Sequence, residues 1–285
     1  TNRLTGTIPE LQTLTNLTYL DLDTNRLTGT IPELQTLTQL QVLALYENQL
    51  TGTIPDLQTL TKIQDVILNQ NRLTGGIPPE LAQLNNLEGL ALSQNQMSGT
   101  IPSFLGAMTG LKYLSLGSNC LQGTIPVSFC NLQSLKLLEL TSVGSGTSCR
   151  VNTFGGTVLE DYFDGFTTSK YLSGTIPSCI WNLGNLTEIY AGGNRIEGQL
   201  PAAISPSIKN VSLPFNYIDG TVPALFVSNL DVIEVSHNRI GGSLDAFKES
   251  SNLKTLNASV NHFSGNIPKS LLSLRYIDIL TGNVF

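Results

Sequence analysis

Two histidines and four cysteines are the side chains in this 285-residue chain with the strongest claim to chemistry, and their spacing restricts what that chemistry could be. Catalysis by an imidazole needs a nucleophile or an orienting carboxylate fixed beside it. Nothing in the residue order forces a Ser, Asp or Cys next to His237 or His262, so the chain does not read as an enzyme. The cysteines at 120, 130, 149 and 179 are separated by 9, 18 and 29 residues, which matches no zinc motif. Glu160, Asp161 and Asp164 read as a solvated acidic loop, and no metal or other cofactor is expected.

A repeat positions these residues. Asn2, Asn25, Asn48, Asn71, Asn95 and Asn119 recur at steps of 22 to 24 residues, as do Asn194, Asn216, Asn238 and Asn261 after one interruption. A fixed period of this length marks a solenoid. Leu14, Leu17, Leu20, Leu22 and Leu27 return as Leu37, Leu40, Leu43, Leu45 and Leu50, with Ile31 matching Ile8, so these positions must face one continuous core. Leu20-Asp21-Leu22 alternates as a strand with one buried face does, and strands one period apart can pair only in parallel. The Asn after each strand offers one acceptor and two donors where the chain turns, so stacked copies predict an internal asparagine ladder. Gly6-Thr7-Ile8-Pro9 then bends the chain toward the outer face, where proline argues against long helices.

The pattern LxxLxLxxNxLxGxIP, written here by Leu17, Leu20, Leu22, Asn25, Leu27, Gly29, Ile31 and Pro32, resembles the plant-type subclass of leucine-rich repeats over nearly the whole chain. The resemblance implies an α/β-type repeat solenoid: a right-handed superhelix with one short parallel strand per rung on the concave face and an irregular or 3-10 outer face. Residues 1–285 form a single domain of about twelve rungs, each roughly 4.8 Å deep. The first and last residues both lie inside repeats, so capping segments are expected beyond them. Members of this subclass include ectodomains of receptor-like proteins and kinases and the polygalacturonase-inhibiting proteins.

One rung runs from Cys120 through Leu140 and carries Val143 where the ladder Asn is due. Residues 144–170 are an insertion, after which Leu172 to Pro177 resumes the unit. Its Phe154, Tyr162, Phe163 and Phe166 are predicted to pack over an edge of the solenoid and to contribute contacts. Cys130 and Cys179 fall on adjacent rungs, two residues out of register, which predicts a Cys130–Cys179 bridge. Cys120 follows a ladder Asn and Cys149 sits just inside the insertion, which predicts Cys120–Cys149. Asn16, Asn185, Asn210 and Asn257 head N-glycosylation sequons. Paired cysteines with sequons place the chain in the secretory pathway, outside the cell or on its surface.

A net charge of −6 with 13% charged residues gives no broad basic face, so nucleic acid is not an expected partner. With no run of eighteen apolar residues, a membrane is reached only through segments outside this chain.

On the concave sheet, the column of Asp21 reads Ala44, Ile67, Ala91, Ser115, Glu139, Tyr190, Ser212, Glu234 and Asn257, varying while the core stays fixed. A column starting at Thr18 includes Lys112, Lys136, Lys209 and Lys254. Aromatic and charged groups on a rigid curved sheet are what a recognition surface needs. Lys112, Tyr113, Lys136, Glu139, Tyr190 and Phe215 are therefore the predicted ligand contacts, for a protein, peptide or glycan. The function read from this is an extracellular, non-enzymatic recognition or adhesion module. The alternatives are an inhibitor of a secreted cell-wall hydrolase, a structural component of a surface assembly, or an ice-binding protein. The last rests on Thr5-Gly6-Thr7 and its copies at Thr28, Thr30, Thr51 and Thr53, which are expected to line up as a hydroxyl array.

Overall fold

The computed structural model describes residues 2–142, 171–248 and 250–285. Eleven strands of three residues each, from Tyr19–Asp21 to Tyr276–Asp278, form one parallel sheet in chain order. The register is the predicted one: Asp21 pairs with Ala44, Ala44 with Ile67, and so on through Glu139, Tyr190, Ser212, Glu234 and Asn257 to Asp278. Among the described residues, six short 3-10 helices and one α-helical turn, Ala224–Val227, lie opposite, beginning with Pro79–Gln83. Pro78, Pro102, Pro126, Pro223 and Pro268 cap five of these elements in extended conformation, starting each turn where the ring has no amide to lose.

Between sheet and outer turns runs a single core. Leu34, Leu37, Leu40, Leu43, Leu45 and Leu50 are fully buried, as the repeat requires. Toward the C-terminal half, phenylalanines take over the bulk: Phe129, Phe226, Phe247 and Phe263 are fully buried, and Trp181 meets Phe226 edge to face at 5.7 Å.

The asparagine ladder knits successive rungs. Asn71 Oδ1 accepts from the Leu50 amide at 3.0 Å, and its Nδ2 donates to the carbonyls of Leu45 on the preceding rung and Leu68 on its own. Each buried Asn thus satisfies backbone groups on two rungs at once. At the last rung Asn283 takes the position, donating to Ile279 four residues back where its predecessors reach three. One inserted residue therefore shifts the ladder from the Gly282 position to Asn283.

Cys130 and Cys179 are disulfide-bonded, with Cα atoms 5.4 Å apart, on the rungs before and after the interruption. A closed loop of this length is worth about 4 kcal/mol in the chain-entropy model. Cys120 is buried, and its predicted partner Cys149 lies outside the described residues, as do Val143, the insertion 144–170 and Phe154, Tyr162, Phe163 and Phe166.

A second set of strands flanks the first along the Gly-x-Ile-Pro side, and here the expected alignment of threonines is corrected. Thr7 pairs with Thr28 and Thr30 with Thr51, a slip of two residues, so equivalent threonines are staggered and do not stack. The glycine between each pair has positive φ, 89° at Gly6 and 79° at Gly29, which skews the segment against its neighbour. The Thr7 methyl lies where a Cβ at Gly29 would stand, so this position must be glycine.

Candidate functional site

The concave sheet presents three outward columns. Two were legible in the sequence; the third is the first residue of each strand, running Tyr19, Val42, Asp65, Gly89, Tyr113, Leu137, Glu188, Asn210, Val232, Thr255 and Tyr276. Its variability was the available signal. Tyr19, Tyr113 and Tyr276 are 61%, 48% and 52% exposed in this column, so aromatic surface stands on the sheet at both ends and in the middle.

The six predicted contacts divide by what already holds them. Lys112 forms an ion pair with Glu88 at 2.6 Å, whereas exposed Lys136 on the next rung forms none among the described residues. Tyr113 follows Lys112 in its strand and pairs in register with Leu137, the residue after Lys136. Glu139 is committed internally: one carboxylate oxygen accepts from Ser115 Oγ at 2.6 Å and the Gly117 amide at 3.2 Å, and the other accepts from the Thr141 amide at 2.9 Å. This carboxylate holds the strand end beside the interruption and has little left to offer a visitor. Tyr190 donates to Glu188 at 2.6 Å; burial and that carboxylate push its phenol up to about 12, so it stays a neutral donor.

Phe215 is stacked on His237, ring centroids 4.0 Å apart and 20° from parallel. Both precede a ladder Asn, and that position has an unusual backbone: Thr24, Glu47, Gln70, Gln94, Ser118, Phe215, His237 and Val260 all have φ between 52° and 56°. The left-handed region costs a non-glycine residue roughly 1–2 kcal/mol. Burial pushes the His237 imidazole down from its ordinary range, with nearby Asp278 opposing, and its buried Nδ1 has no hydrogen-bond partner among the described residues.

The sequon asparagines fall in two environments. Asn16 and Asn185 are exposed on the approach to the sheet, although Asn185 Nδ2 donates to the Gln133 carbonyl at 2.8 Å. Asn210 and Asn257 are half-buried within strands, Asn257 accepting from Ser259 Oγ at 2.8 Å.

Models of the leucine-rich repeat match residues 85–142, and shorter ones match 16–36 and 252–279. Receptor-like protein 34 of Arabidopsis thaliana is 36% identical over 112 residues, 38% of this chain and 12% of that protein. Among solved structures, the plant peptide hormone receptor RGFR1 in complex with RGF2 superposes with a TM-score of 0.74 at 29% identity, over 99% of this chain and 46% of that one. A plant ice-binding protein superposes with a TM-score of 0.70 at 26% identity, over 87% of this chain and 73% of that one. The chain therefore spans a small part of the curated relative and less than half of the receptor.

Proposed function

From the premise that this chain is a leucine-rich repeat protein of the plant type resembling receptor ectodomains, we propose that it is an extracellular, non-enzymatic recognition module whose concave sheet binds a peptide or protein. The observation that carries this reading is the juxtaposition of exposed Tyr113 with Lys112 and with Lys136, a cation that no described carboxylate pairs. An exposed aromatic ring beside an uncompensated cation suits a partner with a carboxylate and apolar surface. The likeness to a receptor solved with its peptide hormone supports a peptide in particular. Surface-displayed random peptides panned against the whole chain test it. Binders are expected to lose about tenfold or more in affinity on Tyr113→Ala or Lys136→Ala, and to be indifferent to Val127→Ala on the outer face. Binders indifferent to both concave substitutions would refute the reading.

A second reading, adsorption to ice, is favoured by the likeness to the plant ice-binding protein and by the exposed threonines of the lateral face. Freezing-point hysteresis in the wild-type chain, lost on Thr28→Lys, would support it; an unshifted freezing point removes it.

A further inference from the structure

We infer that Phe215, His237 and Val260 form a distinct contact strip at the C-terminal part of the concave face, made to receive an apolar side chain of a peptide or protein with a cationic group beside it. The inference rests on the recognition reading above.

The three residues occupy the position before the ladder Asn on successive rungs, at φ 55°, 54° and 52°. The other described occupants of that position are Thr24, Glu47, Gln70, Gln94, Ser118, Gly193 and Gly282, all polar or glycine. Bulky apolar side chains, and a β-branched valine above all, run against what this backbone tolerates. The core does not explain them either, since Phe215 is 45% and Val260 37% exposed. Side chains that strain the backbone and remain in water are maintained by something outside the free fold.

The strip is continuous and bounded. The Phe215 amide donates to the Ser236 carbonyl at 2.9 Å and the His237 amide to the Ser259 carbonyl at 2.9 Å, which fixes the three side chains on adjacent rungs. Phe215 and His237 are stacked, and Gly193 and Gly282 end the strip on either side. Beside it Ser236 and Ser259 are only 4% exposed, so the three side chains stand above a recessed polar shelf. The enclosed His237 Nδ1 is a further cost carried in the free protein.

Charge selects the partner. The neighbouring column of the sheet holds Glu234 on the His237 rung and Asp278 on the Gly282 rung; Glu234 accepts from Ser212 Oγ at 2.7 Å, and neither carboxylate has an ion pair among the described residues. Of the sheet cations on this side, Lys254 pairs with Asp231 and Lys209 Nζ donates to the Asn229 carbonyl, while exposed Arg275, on the Asp278 rung, forms no ion pair among the described residues. An apolar strip bordered by the Glu234 and Asp278 carboxylates, neither of them ion-paired among the described residues, complements an apolar residue next to Lys or Arg.

The test uses peptides selected from a displayed random library on the whole chain, then measured on Val260→Asn and Phe215→Asn, since Asn tolerates the left-handed backbone. The expected peptides carry an apolar residue beside Lys or Arg and bind both variants about tenfold or more weakly. Val260→Asn is expected at the same time to raise Tm by about 2–4 °C, through relief of backbone strain. Weaker binding together with a lowered Tm would mean that Val260 supports the fold, and would overturn the strip. Peptides weakened by Tyr113→Ala but unaffected by Val260→Asn and Phe215→Asn would overturn the strip and leave the recognition reading standing. Peptides indifferent to all four concave substitutions would remove both.

Discussion

The side-chain amide of Asn194 donates to the carbonyl of Leu140, 2.9 Å away and 54 residues earlier in the chain, while its Oδ1 accepts from the Leu172 amide on the far side of the interruption. The ladder therefore resumes across the insertion, one rung after the position that Val143 occupies in place of an Asn. One Asn secures two chain segments that the sequence separates, and the solenoid continues through the break.

Asn194→Ala would leave the buried Leu140 carbonyl and Leu172 amide without their partner. At roughly 1–3 kcal/mol for each stranded group, a loss of about 2–6 kcal/mol is expected in urea unfolding. Asn25→Ala, at a half-exposed rung near the N-terminal end, is expected to cost about 1 kcal/mol. Equal losses at the two sites would show that Asn194 has no special part in bridging the insertion.

Glycine substitutions separate conformation from space. Gly6 has φ 89° and no neighbouring atom within 4 Å of where a Cβ would stand, so Gly6→Ala bears only the left-handed cost of about 1–2 kcal/mol. Gly193 has φ 70°, and a Cβ there would overlap the Ser142 carbonyl. Gly193→Ala is expected to lose a further 1–3 kcal/mol or so, from overpacking. Thermal melts of the two variants side by side would measure the difference, and indistinguishable melts would mean that Ser142 yields freely.

Protonation of His237 should weaken the fold. Burial holds its folded-state pKa below the ordinary histidine value of about 6.5, so the unfolded chain binds that proton more readily. The stability it contributes is fully present above about pH 6.5 and is lost as pH falls toward the depressed value. His237→Asn is expected to flatten the fall in unfolding free energy below about pH 6.5. A slope unchanged by the substitution would assign the acid sensitivity to carboxylates instead.

Glycan occupancy should follow accessibility. We expect Asn16, exposed before the first concave strand, to be modified in secreted material, and Asn210, half-buried in its strand against Tyr190, to remain bare. Enzymatic deglycosylation in heavy-oxygen water followed by peptide mass spectrometry reads both sites. A glycan on Asn210 would contradict the packing of that strand and would obstruct the concave face.

The letters alone determined the repeat, the inward positions, the in-register pairing of the concave strands and the Cys130–Cys179 bridge. They could do so because each rung touches only its neighbours, so a residue's place in the period fixes which way it faces. Tertiary structure decided what each outward side chain does on arrival. Glu139 looked available but accepts from Ser115 and the Gly117 amide one rung away, Tyr190 is tied to Glu188 within its own strand, and Lys136 is left without an ion pair among the described residues; a period does not record how neighbouring side chains engage one another. It also decided the two-residue slip that sets Thr7 beside Thr28, since a positive-φ glycine skews the chain by an amount no periodicity records. The left-handed backbone under Phe215, His237 and Val260 was equally hidden: a period tells which way a residue points, while the conformation it must adopt to point there is settled only when the coils are hydrogen-bonded together.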